Sequence, residues 1–379
     1  MTVSQDMPAQ GGLESVSKAE RVASLTGIRA VAALLVMGTH AAYTTGKYTH
    51  GYWGLVASRM EIGVPIFFVL SGYLLFGPWV RAVAKDRPPP SVARYAWHRV
   101  RRIMPAYVIT VVAAFVVYHY RTGYPNPGHN WTGLFRNLTL TQIYTDRYLD
   151  SYLHQGLTQM WSLAVEVAFY IVLPLMVYLL LTVLCRRRWQ PRLLLVGIVV
   201  LSLITPGWLA LVHTTHWLPD GAVLWLPTYL VWFLGGMLLA VLAAMGRRWY
   251  AAVCVPLAIV CYFIVSTPIG GEPTTSPSKL TDALAKAAFY AVIATLMVGP
   301  LALGNRGWYA SVLASRPMVW LGEISYEIFL IHLIVMESAM TDVLHWHVYT
   351  GNAAGLFAVT FLMTVPLAWL LHRFTRVRP

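Results

Sequence analysis

The chain has 379 residues, 58% of them hydrophobic and 11% charged. A soluble domain carries roughly 25% charged residues, so this composition excludes an ordinary soluble fold and points to a polytopic membrane protein. The net charge of +13 does not signal nucleic-acid binding, because the basic residues sit in short runs between apolar segments, the pattern of membrane topology.

Residues 1–24 are polar and read as a disordered cytoplasmic tail. Crossing a bilayer takes about 20 residues of helix. On that template ten spans are predicted: 25–43, 62–80, 104–120, 157–184, 193–212, 223–245, 250–267, 284–303, 319–340 and 353–372. The first apolar run is longer than a signal-peptide core and no clean small-residue cleavage site follows it, so it reads as a permanent helix. The organisation is then a tail (1–24), a transmembrane domain (25–372) and a short cytoplasmic tail (373–379). The fold class is all-α, a membrane helical bundle. Basic residues gather in alternate connections, at Lys18 and Arg21, between Arg81 and Arg102, from Arg186 to Arg192, at Arg247 and Arg248, at Arg306 and Arg316, and beyond Arg373. By the positive-inside rule both termini are cytoplasmic. Cys185, Cys254 and Cys261 lie in or beside apolar segments and read as buried thiols.

The first span, LTGIRAVAALLVMGTH (25–40), keeps Arg29 and His40. Ionisable groups in a bilayer are costly, so they are functional candidates. Eleven residues make about three helical turns, which puts both side chains on one face, about 16 Å apart along the axis. Such a pair could hold the two ends of an elongated ligand. The plainer alternative is that Arg29 snorkels to the interface and His40 bonds within the bundle.

In GVPIFFVLSGYLL (63–75), Ser71 and Gly72 permit close helix approach. In RYAWHRVRRIMPAY (94–107), Arg99 and Arg102 share a face at i,i+3, with His98 and Arg101 beside them. Guanidinium forks match phosphate oxygens, so this is a candidate site for a phosphorylated ligand; lipid headgroups would be met equally by such a cluster. In WSLAVEVAFY (161–170), Ser162, Glu166 and Tyr170 form one stripe, and the carboxylate stands at a crude depth similar to that of His40. A Glu that accepts from an imidazole fixes its tautomer; a pairing with Arg or a hydroxyl elsewhere is the alternative. In GEISYEIFLIH (322–332), Ser325, Tyr326 and His332 read first as interhelical glue. The two histidines at 345 and 347 lack further ligands, so no metal site is expected.

Taken together these segments resemble the bacterial membrane acyltransferase family 3. The shared features, in order, are Arg29 and His40 in the first helix, a GVxxFFVLSGF-like second helix, Arg99 and Arg102 followed by Pro105 and Tyr107, WSLxxE from Trp161 to Glu166, and an SYxxYLxH-like segment ending at His332. The resemblance extends from about residue 22 to 372. Two features depart from it: Pro65 stands where members often carry an acidic or amide residue, and Val167 where a second acidic residue often follows Glu166.

The resemblance implies transfer from an acyl-coenzyme A, acetyl-CoA by analogy, to an acceptor at or beyond the outer face of the plasma membrane. It implies that Arg29, Arg99 and Arg102, with Arg101 and Tyr107 in the same motif, hold coenzyme A, and that His40 is catalytic with Glu166 orienting it. Ser71, Trp161, Ser162, Tyr170, Ser325, Tyr326 and His332 are expected to support the site or the substrate. No permanently bound cofactor is expected. Some members carry an appended extracytoplasmic domain, and this chain is expected to act without one. Residues 22–46 resemble actinobacterial members, which implies a lipid or glycolipid acceptor such as trehalose monomycolate, with a lipid transporter as a candidate partner. An envelope polysaccharide, peptidoglycan or a macrolide-type metabolite is the alternative acceptor. A flippase or a non-catalytic scaffold is the alternative of another class, since buried charges also suit transport.

Overall fold

Backbone groups in lipid must bond within their own segment, and every regular element among the described residues is helical. The computed structural model describes residues 9–121, 125–146, 148, 153–215, 217–274, 277–304 and 307–376, with side chains from Glu20 onward in the first helix. The long helices are α1 (Ala9–Thr44), α2 (Gly63–Ala84), α3 (Val92–Tyr120), α4 (Met160–Val177), α5 (Pro191–Ser202), α6 (Ile204–Thr214), α7 (Leu226–Ala244), α8 (Ala251–Val265), α9 (Leu280–Ala302), α10 (Arg316–Glu323), α11 (Ser325–Ser338) and α12 (Ala353–Thr375). The protein is a polytopic membrane helical bundle.

Eight stretches of helix are long and apolar enough to cross a membrane. They coincide with eight of the ten predicted spans. The ninth, at 319–340, is a pair of helices, α10 and α11, bent by 69°. The break at Ile324 lets α10 pack across α1 while α11 turns to run beside it. The predicted span at 250–267 is α8, which has only 15 residues. That is short of the roughly 20 needed to cross the hydrocarbon core. Helix α1 begins at Ala9, inside the segment expected to be a disordered tail; residues 1–8 lie outside the described residues. At the other end α12 reaches Thr375, and 377–379 lie outside them.

Helices α2 and α7 form the tightest crossing. A Cβ on Gly72 would fall 2.0 Å from the Phe233 carbonyl oxygen, and one on Gly236 would fall 1.9 Å from that of Val69. Two small residues facing each other bring the backbones together, as expected where helices associate by packing alone. Phe68, Phe233 and Phe169 then stack in series, with centroids 4.2 and 4.1 Å apart. This stack fixes α4 against α2, and so places the 161–170 stripe beside Ser71.

Arg59 lies in the connection between the first two predicted spans. It lies in the helical lead-in to α2, and its side chain is fully buried. Its guanidinium donates to the carbonyls of Val265, Gly271 and Glu272 at 3.2, 2.6 and 3.3 Å. Next to it Glu61 accepts from Lys286 at 2.6 Å and from Tyr290 at 2.8 Å. The group pins the loop after α8 to the starts of α2 and α9. Arg59→Ala strands three carbonyls and weakens a buried charge network. It is expected to cost about 3–5 kcal/mol, read as a drop in detergent melting temperature.

Candidate active site

Helices α1, α2, α3, α4 and α11 enclose a cavity of about 290 Å³. Three guanidiniums line it: Arg29 from α1, and Arg99 and Arg102 from α3. The i,i+3 spacing of the last two turns both toward the same space. None of the three makes a hydrogen bond or ion pair with another described residue, and Arg99 Nε is buried without a partner. Buried donors are normally satisfied. Arg29 and Arg99 are half-buried and Arg102 is exposed, and three guanidiniums without a protein partner around one cavity are chemistry for an anionic oxygen-rich ligand, for which phosphate matches the fork best.

The same cavity holds Ser71, Ser162, Glu166, Tyr170, Ser325 and Tyr326. Glu166 does not reach His40. Its Oε1 accepts from the Ser71 hydroxyl and from Tyr170 at 2.5 Å. Depth along a helix says nothing of its stagger against its neighbours, and α4 is staggered so that Glu166 sits at the level of Ser71 and the arginines. The Tyr326 hydroxyl donates to Ile103 at 3.1 Å, and the Ser325 hydroxyl to Gly322 at 2.8 Å. These tie the start of α11 to α3 and to the bend.

The partner of His40 is His332. His40 Nδ1 stands 2.9 Å from His332 Nε2, with the rings tilted and their centroids 5.0 Å apart. His332 Nδ1 lies 2.8 Å from the Phe329 carbonyl oxygen and 3.2 Å from that of Ile328. Carbonyls only accept, so the His332 proton is on Nδ1 and its Nε2 carries the lone pair. His40 Nδ1 must then be the donor, which leaves His40 Nε2 as a free lone pair. This tautomer is assigned from the bonding network. His332 is 1% exposed, whereas His40 is half-buried and its Nε2 bonds to no described residue.

Arg29 lines the cavity and His40 does not. Between them α1 packs directly on α2: a Cβ on Gly63 would stand 2.2 Å from the Ala32 carbonyl oxygen. On α11 the cavity ends at Phe329, and His332 follows one turn on, about 4.5 Å along the axis. The lining of this cavity therefore takes in the Arg29 end of the expected ligand path and stops short of the His40 end.

The other expected site residues are placed as follows. Arg101 is exposed and lies over the Trp97 ring at 5.9 Å, on the opposite side of α3 from the cavity. Tyr107 is fully buried and donates to the Asn137 carbonyl at 2.5 Å, so it cannot hold a ligand in the cavity. Trp161 packs on Tyr229, with centroids 4.9 Å apart, and is not in the lining. Beyond the His pair, a polar group absent from the sequence reading joins α3 to α11. Tyr118 donates to Glu337, Arg121 pairs with Asp342, and His154 packs under Tyr118. Outside the spans, burial pushes His154 down to about 3, helped by neighbouring His129.

Residues 22–373 match the model of an acyltransferase domain, Acyl_transf_3. The chain is 25% identical over 368 residues to the peptidoglycan O-acetyltransferase OatA of Listeria monocytogenes, covering 90% of this chain and 54% of that protein. It is 26% identical over 368 residues to the acyltransferase MdmB of Streptomyces mycarofaciens, covering 93% and 90%. It is 22% identical over 390 residues to the O-acetyltransferase OatA of Staphylococcus aureus, covering 96% and 58%. The chain thus spans little more than half the length of either OatA protein. No solved structure matches it. With the matched region covering nearly all of the bundle and both the arginine cavity and the His pair, the chain belongs to membrane acyltransferase family 3.

Proposed function

We propose that this acyltransferase moves a short acyl group, acetyl, from acyl-CoA to a hydroxyl of a cell-envelope glycolipid such as trehalose monomycolate, at the plasma membrane. One observation carries the reading: three guanidiniums without a protein partner line a cavity that ends one helical turn from His332, the histidine that holds His40 through its Nδ1 and leaves the His40 Nε2 free. The arginines suit the phosphates of coenzyme A on the cytoplasmic side. The apolar walls, Val64, Leu70, Leu74 and Leu75 among them, suit the pantetheine arm.

The chemistry follows from the tautomer. The acceptor hydroxyl gives its proton to His40 Nε2 as its oxygen bonds to the thioester carbonyl carbon. The C–S bond then breaks, and the proton passes from His40 to the departing thiolate. While His40 is an imidazolium, its Nδ1–H stays on the neutral His332 Nε2, which holds the ring in place. His332 is thus a positioning residue and His40 the catalytic one.

The test is thiol release from acetyl-CoA by the purified protein with envelope lipids as acceptor, followed by mass analysis of the product. A flippase would release no thiol. Acetylated polysaccharide or peptidoglycan in place of glycolipid would keep the chemistry and replace the acceptor.

Glu166 has a different task from His40. In Glu166→Gln the amide oxygen still accepts from Ser71 and Tyr170, so kcat is expected to stay within about tenfold of wild type. Glu166→Ala leaves both hydroxyls without an acceptor beside the arginines, and donor KM is expected to rise about tenfold. Steady-state kinetics separates the two. A kcat loss in Glu166→Gln as large as in a His40 variant would mean the carboxylate moves a proton.

A further inference from the structure

We infer that Phe67 and Phe329 form an aromatic partition between the donor cavity and the His40–His332 pair, and that Phe67 thereby selects the acyl group that passes. The inference rests on the donor assignment above. Both rings line the cavity, and Phe329 is the lining residue one helical turn before His332. They meet edge to face, with centroids 6.4 Å apart. The Phe329 ring is 6.1 Å from the His332 ring, which in turn faces His40. On the other side Phe67 packs against the core of Met37, Ala41, Ile328 and Met336, the residues that flank the two histidines on α1 and α11. Phe329 thus touches both the ring of Phe67 and the ring of His332, and we place the ligand space on one face of this aromatic pair and the catalytic histidines on the other.

A thioester that enters along the arginines must cross this wall. The backbone route is shut, because α1 and α2 are in contact at Gly63 and Ala32. Phe329 is the less free of the two. It is 8% exposed, its carbonyl accepts from His332, and Gln159 donates to it at 3.4 Å and to Leu330 at 2.8 Å. Phe67 is half-buried and its ring makes no polar contact. Rotation of Phe67 about its side-chain bonds opens the passage. The space it vacates lies between aliphatic residues and the Phe329 ring, and it admits a small acyl group while crowding a long one. When Phe67 is in place the wall also keeps water on the cavity side from reaching His40.

The experiment compares Phe67→Ala and Phe67→Leu with wild type, using acetyl-CoA and butyryl-CoA in the presence and absence of acceptor. A change of one methylene in a fitted apolar site alters kcat/KM by about 10–200-fold. The butyryl-to-acetyl ratio of kcat/KM is therefore expected to rise at least tenfold in Phe67→Ala and by a smaller factor in Phe67→Leu. Acceptor-independent hydrolysis of acetyl-CoA is expected to rise with it. Phe67→Leu covers the case in which the alanine variant does not fold. An unchanged ratio and unchanged hydrolysis in a Phe67→Leu protein that elutes as wild type and keeps its donor KM would overturn the inference. If wild-type protein releases no thiol from either donor, the donor assignment itself falls, and the partition with it.

Discussion

His40→Ala should lose about 10²–10⁴-fold in kcat, the usual share of general base catalysis, with donor KM near wild type. The split follows from the geometry, since His40 is outside the arginine cavity and its side-chain partner is His332. His332→Phe removes the acceptor for His40 Nδ1–H. The His40 ring then keeps only its backbone hydrogen bond with Val36 and loses the imidazole that steadies the imidazolium. The kcat loss should be smaller than in His40→Ala, and the pH profile should change as well as the height. His332→Asn offers an amide oxygen to the same N–H and should recover part of the loss. A merely structural role for His332 predicts no recovery and no change in the pH profile. Full activity in His40→Ala would remove the catalytic assignment.

The double variant Arg99→Ala and Arg102→Ala should raise donor KM by two orders of magnitude or more and leave kcat within a few-fold. A hydrogen bond to a charged group contributes about 1.5–3 kcal/mol, and two fall away together. Lysine at both positions restores the charge without the planar fork and should recover only part of the affinity. If these arginines hold the donor's phosphates, donor KM rises with ionic strength in wild type and less so in the double variant. Arg101→Ala is the internal control. It is on the exposed side of α3, over Trp97, and should leave donor KM unchanged. An equal effect of Arg101→Ala and Arg99→Ala would mean that surface charge, and not the cavity, attracts the donor.

Much of the fold was legible in the sequence because the burden of satisfying backbone groups in lipid falls on each segment alone. Apolar length and helical period therefore located the long helices. They did not reveal the bend at Ile324, which arises from the packing of α10 on α1. Nor did they reveal the burial of Arg59, whose partners are carbonyls more than two hundred residues away. The arginine side of the site was legible from the i,i+3 spacing of Arg99 and Arg102. The assignment of a partner to His40 was not. Residue counts from a membrane surface give crude depth, and Glu166 and His40 share that; but the stagger of α4 is set by the aromatic stack of Phe68, Phe233 and Phe169, which no local pattern encodes. His332 carried one signal of its own, an imidazole in an otherwise apolar stretch of helix.

In the proposed reaction the arginine cavity and the His pair are two ends of one path. A structure of the protein with a non-hydrolysable acetyl-CoA analogue, its sulfur ester replaced by a ketone, tests this most directly. The expected result is phosphates on Arg29, Arg99 and Arg102, the Phe67 ring rotated away from Phe329, and the ketone carbonyl within reach of a hydroxyl bonded to His40 Nε2. An analogue bound away from the arginines, or one whose arm points from the cavity away from His40 with Phe67 and Phe329 still in contact, would contradict it.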